Sequence, residues 1–249
     1  MTITGRSTAS KRVPMDSLRK TALIAGVLYL LTFVSIPTLA LYGPVRGPNY
    51  IVGAGPDTGA LWGGALEMIV ALASIGTAIA LYPVVRRQNE GLALGFVGSR
   101  ALEAAAIVTG VVCLMSVVTL RQGGAGAPAL ATGQALVAMY GWTFLLGQTL
   151  MPALNALLLG SLLYRSRLVP RVLPLLGLIG APLLLASTAA TFFGINAVIS
   201  VWSAIATAPI ALWEFSLGVW LVVKGFRPSP ITAGLGTAGT AAQEPNATA

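Results

Sequence analysis

The chain has 249 residues, 56% of them hydrophobic and only 9% charged, with a mean hydropathy of +0.84. A soluble domain is roughly a quarter charged, so this composition excludes an ordinary water-soluble fold. With no histidine and a single cysteine, Cys113, the chain cannot form an internal disulfide, a His/Cys zinc centre, or Ser–His or Cys–His nucleophilic machinery.

The apolar residues come in blocks of about twenty, the length a helix needs to cross about 30 Å of hydrocarbon. A polar N-terminal segment, residues 1–20, carries Arg6, Lys11, Arg12, Arg19 and Lys20. The first block, Thr21–Tyr42, is longer than a signal-peptide core and reads as a retained span. A Gly/Pro-rich loop, Gly43–Gly59, follows, with a short apolar run at Tyr50–Val52. Asp57 is placed to cap the second span, Ala60–Val85. The third span is Gly91–Leu120, the fourth Ala138–Tyr164, the fifth Val172–Phe193 and the sixth Val201–Lys224. Pro37, Pro152, Pro182 and Pro209 are expected to interrupt spans, and the GxxxG pairs Gly59–Gly63 and Gly91–Gly95 to pack closely within the chain. Residues 228–249 are small and polar and read as a disordered tail. The fold expected is therefore all-α: a polytopic bundle of six transmembrane helices occupying residues 21–227.

The formal charge of +8 falls between the apolar blocks. With a cytoplasmic N-terminus, twelve basic residues face inward and only Arg46 and Arg121 face outward, a strong positive-inside pattern that puts both termini in the cytoplasm. Tyr42, Trp62, Trp142 and Trp202 near outer helix ends, and Tyr82, Tyr164 and Trp220 near inner ends, read as interfacial belts. Net positive charge placed this way points to anionic lipid as the partner rather than nucleic acid. The abundance of Arg, Ala and Gly points to a bacterial origin and hence to the inner (plasma) membrane.

Charge inside hydrocarbon is costly, so ionisable groups within spans are the candidates for function. They are Glu67 in the second span, Arg100 and Glu103 in the third and Glu214 in the sixth, beside Trp213. Gln148 and Asn155, seven apart on the fourth span, share one face. Small-residue stripes (Gly63, Glu67, Ala71, Ser74; Ser99, Glu103, Gly110; Thr207, Glu214, Gly218) turn the acids toward the bundle interior. Arg100 is expected to find its partners among Glu103, Glu67 and Glu214. One guanidinium against three carboxylates leaves excess negative charge in a water-poor space, so at least one Glu must carry a proton or a cation must bind. Glu214 is the expected proton carrier, Arg100 the internal counterion, Glu103 its partner and Glu67 an outer-side gate or ligand.

Three readings follow: binding or movement of a small cationic or amphipathic ligand or of protons; an intramembrane acid catalyst acting on a lipid or isoprenoid; or an accessory protein whose polar groups only fix helix register. No phosphate loop, dinucleotide fingerprint or cofactor motif is present, and no metal site or cofactor is expected.

Ala25–Pro37 (AGVLYLLTFVSIP), Leu81–Ala104 (LYPVVRRQNEGLALGFVGSRALEA), Tyr164–Leu185 (YRSRLVPRVLPLLGLIGAPLLL) and Trp213–Pro228 (WEFSLGVWLVVKGFRP) resemble the bacterial membrane proteins grouped as the domain of unknown function 4386 family. The resemblance spans about Arg19 to Pro228. It implies six spans and transfers no activity and no residue role.

Overall fold

The computed structural model describes residues 17–233. The basic residues Arg6, Lys11 and Arg12 and the tail from residue 234 lie outside them. Among the described residues there is no strand, and six helical stretches are long and apolar enough to cross a membrane. The first span is α1 (Ser17–Leu31) followed by a 3-10 turn and a short α2 (Thr38–Leu41). The second is α3 (Thr58–Val85) and the third α4 (Glu90–Gln122). The fourth is α5 (Leu130–Leu145), a π segment (Leu146–Leu150) and α6 (Met151–Ser166). The fifth is α7 (Val172–Phe192) and the sixth α8 (Val201–Val223).

Consecutive spans pack side by side, and α8 returns to α1, so the six close into a ring. The closure is tight. A Cβ on Gly26 of α1 would stand 2.7 Å from the Gly218 carbonyl oxygen and 2.8 Å from the Val222 nitrogen of α8, so only glycine permits this approach. Local signals set several helix ends. Asn89 Oδ1 accepts the Leu92 amide at the start of α4, and Ser200 Oγ accepts that of Ser203 at the start of α8. Arg167, at φ +56°, ends α6 in the left-handed region.

Four expectations need correction. The fourth span begins eleven residues before Ala138, at Ala127, and runs 40 residues to Ser166, because Ala127–Val137 is helical despite its weaker hydropathy and packs on the loop after α2. Only Pro37 and Pro152 stand at interruptions, whereas Pro182 and Pro209 are carried inside continuous helices. Tyr42 is fully buried, its ring edge-on to Tyr140 and against Gly63, so it belongs to the core rather than a belt. Trp62, Trp142 and Trp202 are at least half exposed, as a belt requires. Asp57 precedes α3 but caps no amide with its side chain. Its carboxylate instead accepts from the Tyr50 hydroxyl at 2.5 Å, Arg121 at 2.8 Å and Gln122 at 2.9 Å. This ties the Gly43–Gly59 loop to the end of α4, and buried Ile51 caps the bundle against Gly133.

At the other end, where α1 starts and α8 finishes, Arg19 donates to the Leu221 and Val222 carbonyls at 2.8 and 2.5 Å. These are orphan acceptors of the last turn of α8. Residues 228–233, expected to begin the tail, lie against the bundle: Ser229 Oγ donates to the Ser166 carbonyl at 2.6 Å. Arg86, Arg171 and Arg227 lie over Tyr82, Tyr164 and Trp220 at this same end.

Candidate functional site

The buried face of α4 presents Ser99, Arg100 and Glu103 to the ring interior. Arg100 is 1% exposed. Its Nη1 donates to Glu103 Oε1 and Oε2 at 3.2 and 3.0 Å, and its Nη2 to Glu214 Oε1 on α8 at 2.9 Å. The guanidinium also lies 5.0 Å over the Tyr29 ring and 5.7 Å from that of Phe96. A buried cation needs counter-charge and stacked π-faces to offset its lost hydration, and Arg100 has both. It bridges two helices that are not chain neighbours.

Glu103 is further held by Asn155 of α6, whose Nδ2 donates to Oε2 at 2.7 Å. Ser99 donates to Asn155 Oδ1, which fixes the amide in the orientation that aims its nitrogen at Glu103. Ser74 Oγ of α3 stands 3.5 Å from Glu103 Oε1. Glu103 is thus saturated with donors. Glu214 is not: Oε1 takes Arg100, and Oε2 has no partner among the described residues.

Glu214 and Glu103 stand on the wall of a cavity of about 180 Å³. Phe33 and Ile36 of the break in the first span, Val70, Ile107, Leu184 and Ile210 supply its apolar walls, with Gln148 and Thr207 as polar ones. A second cavity of about 210 Å³ shares Gln148, Leu184 and Thr207 with it. Its walls carry Thr149, Ser187, Thr188, Thr191, Ser200 and Ser203, and it leads toward the start of α8, away from the termini. On the terminal side of the cluster the interior is closed by Tyr29, Phe96, Leu162, Trp213, Leu217 and Leu221, all 0–1% exposed.

Glu67 stands apart. It is 2% exposed, and its oxygens are met by Thr38 Oγ1 at 2.7 Å and Gln148 Nε2 at 2.9 Å. Arg100 does not reach it, so of the three acids expected to share the guanidinium two do so. Gln148 and Asn155 both face inward as their spacing requires, but each serves a different carboxylate. Trp213 is fully buried and packs on Gly177 behind the cluster, not on the cavity. Sequence reasoning missed Thr38 and Tyr29. The signal for Thr38 was a hydroxyl directly after Pro37 at a helix break; Tyr29, one aromatic in an apolar run, gave none. A larger recess of about 540 Å³, by the loop after α2, has Arg121 as its only charged wall residue, and Arg121 is already paired to Asp57.

Six apolar spans closed around a guanidinium–carboxylate cluster define a multi-pass membrane helix-bundle protein. The chain belongs to the family described as Domain of unknown function (DUF4386), which matches residues 24–225. No curated protein and no solved structure matches it. The family description supplies no activity, so function rests on the site itself.

Proposed function

We propose that this protein sits in the plasma membrane with both termini cytoplasmic and binds a small amphipathic cation in the cavity beside Glu214, exchanging it for a proton. The observation that carries the reading is the state of Glu214: one oxygen anchored on Arg100, the other unpartnered among the described residues at the wall of a cavity whose other walls mix apolar side chains with neutral polar ones and Glu103. Arg100 against Glu103 and Glu214 leaves one negative charge unbalanced, which a proton on Glu214 or a bound cation neutralises. Apolar walls, Phe33 among them, suit the organic part of such a ligand. The second cavity, with Thr and Ser hydroxyls among its walls, lies on the side opposite the termini and would serve as the approach. Arg100 acts as internal counterion and Glu103 as its fixed partner.

The test is titration of the purified protein with benzyltrimethylammonium in weakly buffered detergent, following heat and pH together. Saturable binding with proton release, both lost in Glu214→Gln, supports the reading. Binding unchanged in that variant contradicts it. Reporter fusions at the C-terminus test the orientation.

A second reading has its own support. Ile36, 63% exposed on the outside of the bundle, also lines the cavity, which gives lipid tails an approach to a carboxyl group. Glu214 would then be a general acid toward a lipid or isoprenoid. Turnover of such a lipid, lost in Glu214→Gln and without cation binding in the wild type, favours it. A purely structural role is disfavoured by the cavity that Glu103 and Glu214 wall.

A further inference from the structure

Glu67 is a buried carboxyl group in an apolar bundle with no ion-pair partner among the described residues. Its surroundings contrast with those of Glu103, which has a guanidinium on both oxygens. Two neutral donors are all that face Glu67 among the described residues, and one of them has a second claim on its hydrogen. The Thr38 hydroxyl has a single hydrogen and two acceptors in reach, the Ser35 carbonyl at 2.5 Å and Glu67 Oε1 at 2.7 Å. If the hydrogen goes to the closer oxygen, Ser35 O, then Thr38 Oγ1 meets Glu67 Oε1 as an acceptor. Two acceptors at 2.7 Å need a proton between them, and only the carboxyl group can supply it.

We infer that Glu67 is a proton-binding site distinct from the Arg100 cluster, occupied at neutral pH. Its proton completes a chain from Glu67 Oε1 through Thr38 Oγ1 to the Ser35 carbonyl. The Ser35 carbonyl belongs to the 3-10 turn that breaks the first span. On the other side Gln148, in the π segment that interrupts the fourth span, donates to Oε2. The proton therefore joins the two interrupted spans through α3. Both interruptions also wall the mid-bundle cavity, through Ser35 and Gln148. Interrupted helices facing one another are where membrane bundles rearrange. Losing the proton would turn the Thr38 hydroxyl from the Ser35 carbonyl to the carboxylate, leaving a buried charge with two neutral donors and no cation among the described residues.

The other titratable groups facing Glu67 are the phenols of Tyr42, just after α2, and Tyr140 of α5. Arg46 stands beyond the Tyr140 ring, 5.9 Å from its centroid. On α4, Glu103 meets α3 at Ser74, seven residues and about 10 Å along the helix from Glu67, Arg100 is held by Glu103 and Glu214, and Arg121 is paired to Asp57. None supplies a cation to Glu67. The inference needs no ligand and stands whether or not the cavity takes a cation.

Infrared difference spectroscopy of the protein in lipid at neutral pH tests it. The carbonyl stretch of a protonated carboxylic acid should be lost in Glu67→Gln, which is isosteric with the neutral acid and should fold normally. In Thr38→Val the same band should remain but shift to higher frequency, because the acid loses its hydrogen-bond acceptor. An acid-carbonyl region unchanged by both variants would overturn the assignment. Band loss in Glu214→Gln reports the other site, so failure here and failure of the cation-exchange reading are separate results.

Discussion

Replacing Arg100 by Met keeps a long apolar side chain and removes the only cation in contact with Glu103 and Glu214 among the described residues. Three N–H···O contacts of 2.9–3.2 Å disappear at once. Charged hydrogen bonds are worth about 1.5–3 kcal/mol each, so their simple sum is an upper bound. Protonation of the orphaned carboxylates limits the loss, and measured losses on breaking a buried pair are about 3–5 kcal/mol. We expect Arg100→Met to lose that amount, read as the free energy of unfolding in mixed detergent micelles at neutral pH. Glu103 retains its Asn155 donor, whereas Glu214 is left with none. The double variant Arg100→Met/Glu214→Gln should therefore be more stable than Arg100→Met alone. Lower pH should recover part of the single variant's loss. Stability within about 0.5 kcal/mol of wild type, the range of a surface substitution, would refute the picture of a buried bridge between α4 and α8.

Other predictions are independent of that bridge. The Asp57 carboxyl is held below the usual carboxylate range, chiefly by the Tyr50 hydroxyl, then by the Gln122 amide, with Arg121 adding its charge. A carboxyl lowered by folding contributes stability that is present above its unfolded value, about 3.9, and is lost as the pH falls through the folded one. Protection of the Gly43–Gly59 loop from proteolysis or hydrogen exchange should thus be flat from pH 7 to about 5 and fall below about 4, with no such dependence in Asp57→Asn. Gly26→Ala drives a methyl group into the backbone of α8 and should destabilise by about 1–3 kcal/mol, the cost of overpacking, visible as a lower melting temperature by tryptophan fluorescence. Asn155→Leu removes two interhelical hydrogen bonds, to Glu103 and from Ser99, and should cost about 1–3 kcal/mol in micelle unfolding, twice the range for one such bond in membrane proteins.

Much of the architecture was legible because hydrocarbon imposes coarse rules. Length and apolarity identify six spans, and stripes such as Gly63, Glu67, Ala71 and Ser74 show which face turns inward. The same rules brought out Arg100, Glu103 and Glu214, since a charge at that depth must find a partner. Pairing itself was not legible. That Glu214 reaches Arg100 while Glu67 does not depends on how the ring closes between α1 and α8, and sequence spacing carries no record of that. Tyr42 was misread as interfacial because its position at a helix end says nothing of the rotation that points it at Gly63. The π segment at Gln148 and the extension of the fourth span to Ala127 were hidden for a related reason. Hydropathy windows see composition, whereas helical backbone continues wherever neighbouring segments support it.

Carbodiimide labelling read by peptide mass spectrometry tests the central claim most directly, because these reagents modify protonated carboxyl groups they can reach from an apolar space. The account predicts an adduct at Glu214, suppressed by benzyltrimethylammonium, and none at Glu103, whose oxygens are taken by Arg100 and Asn155. An adduct at Glu103 with Glu214 unmodified would contradict it.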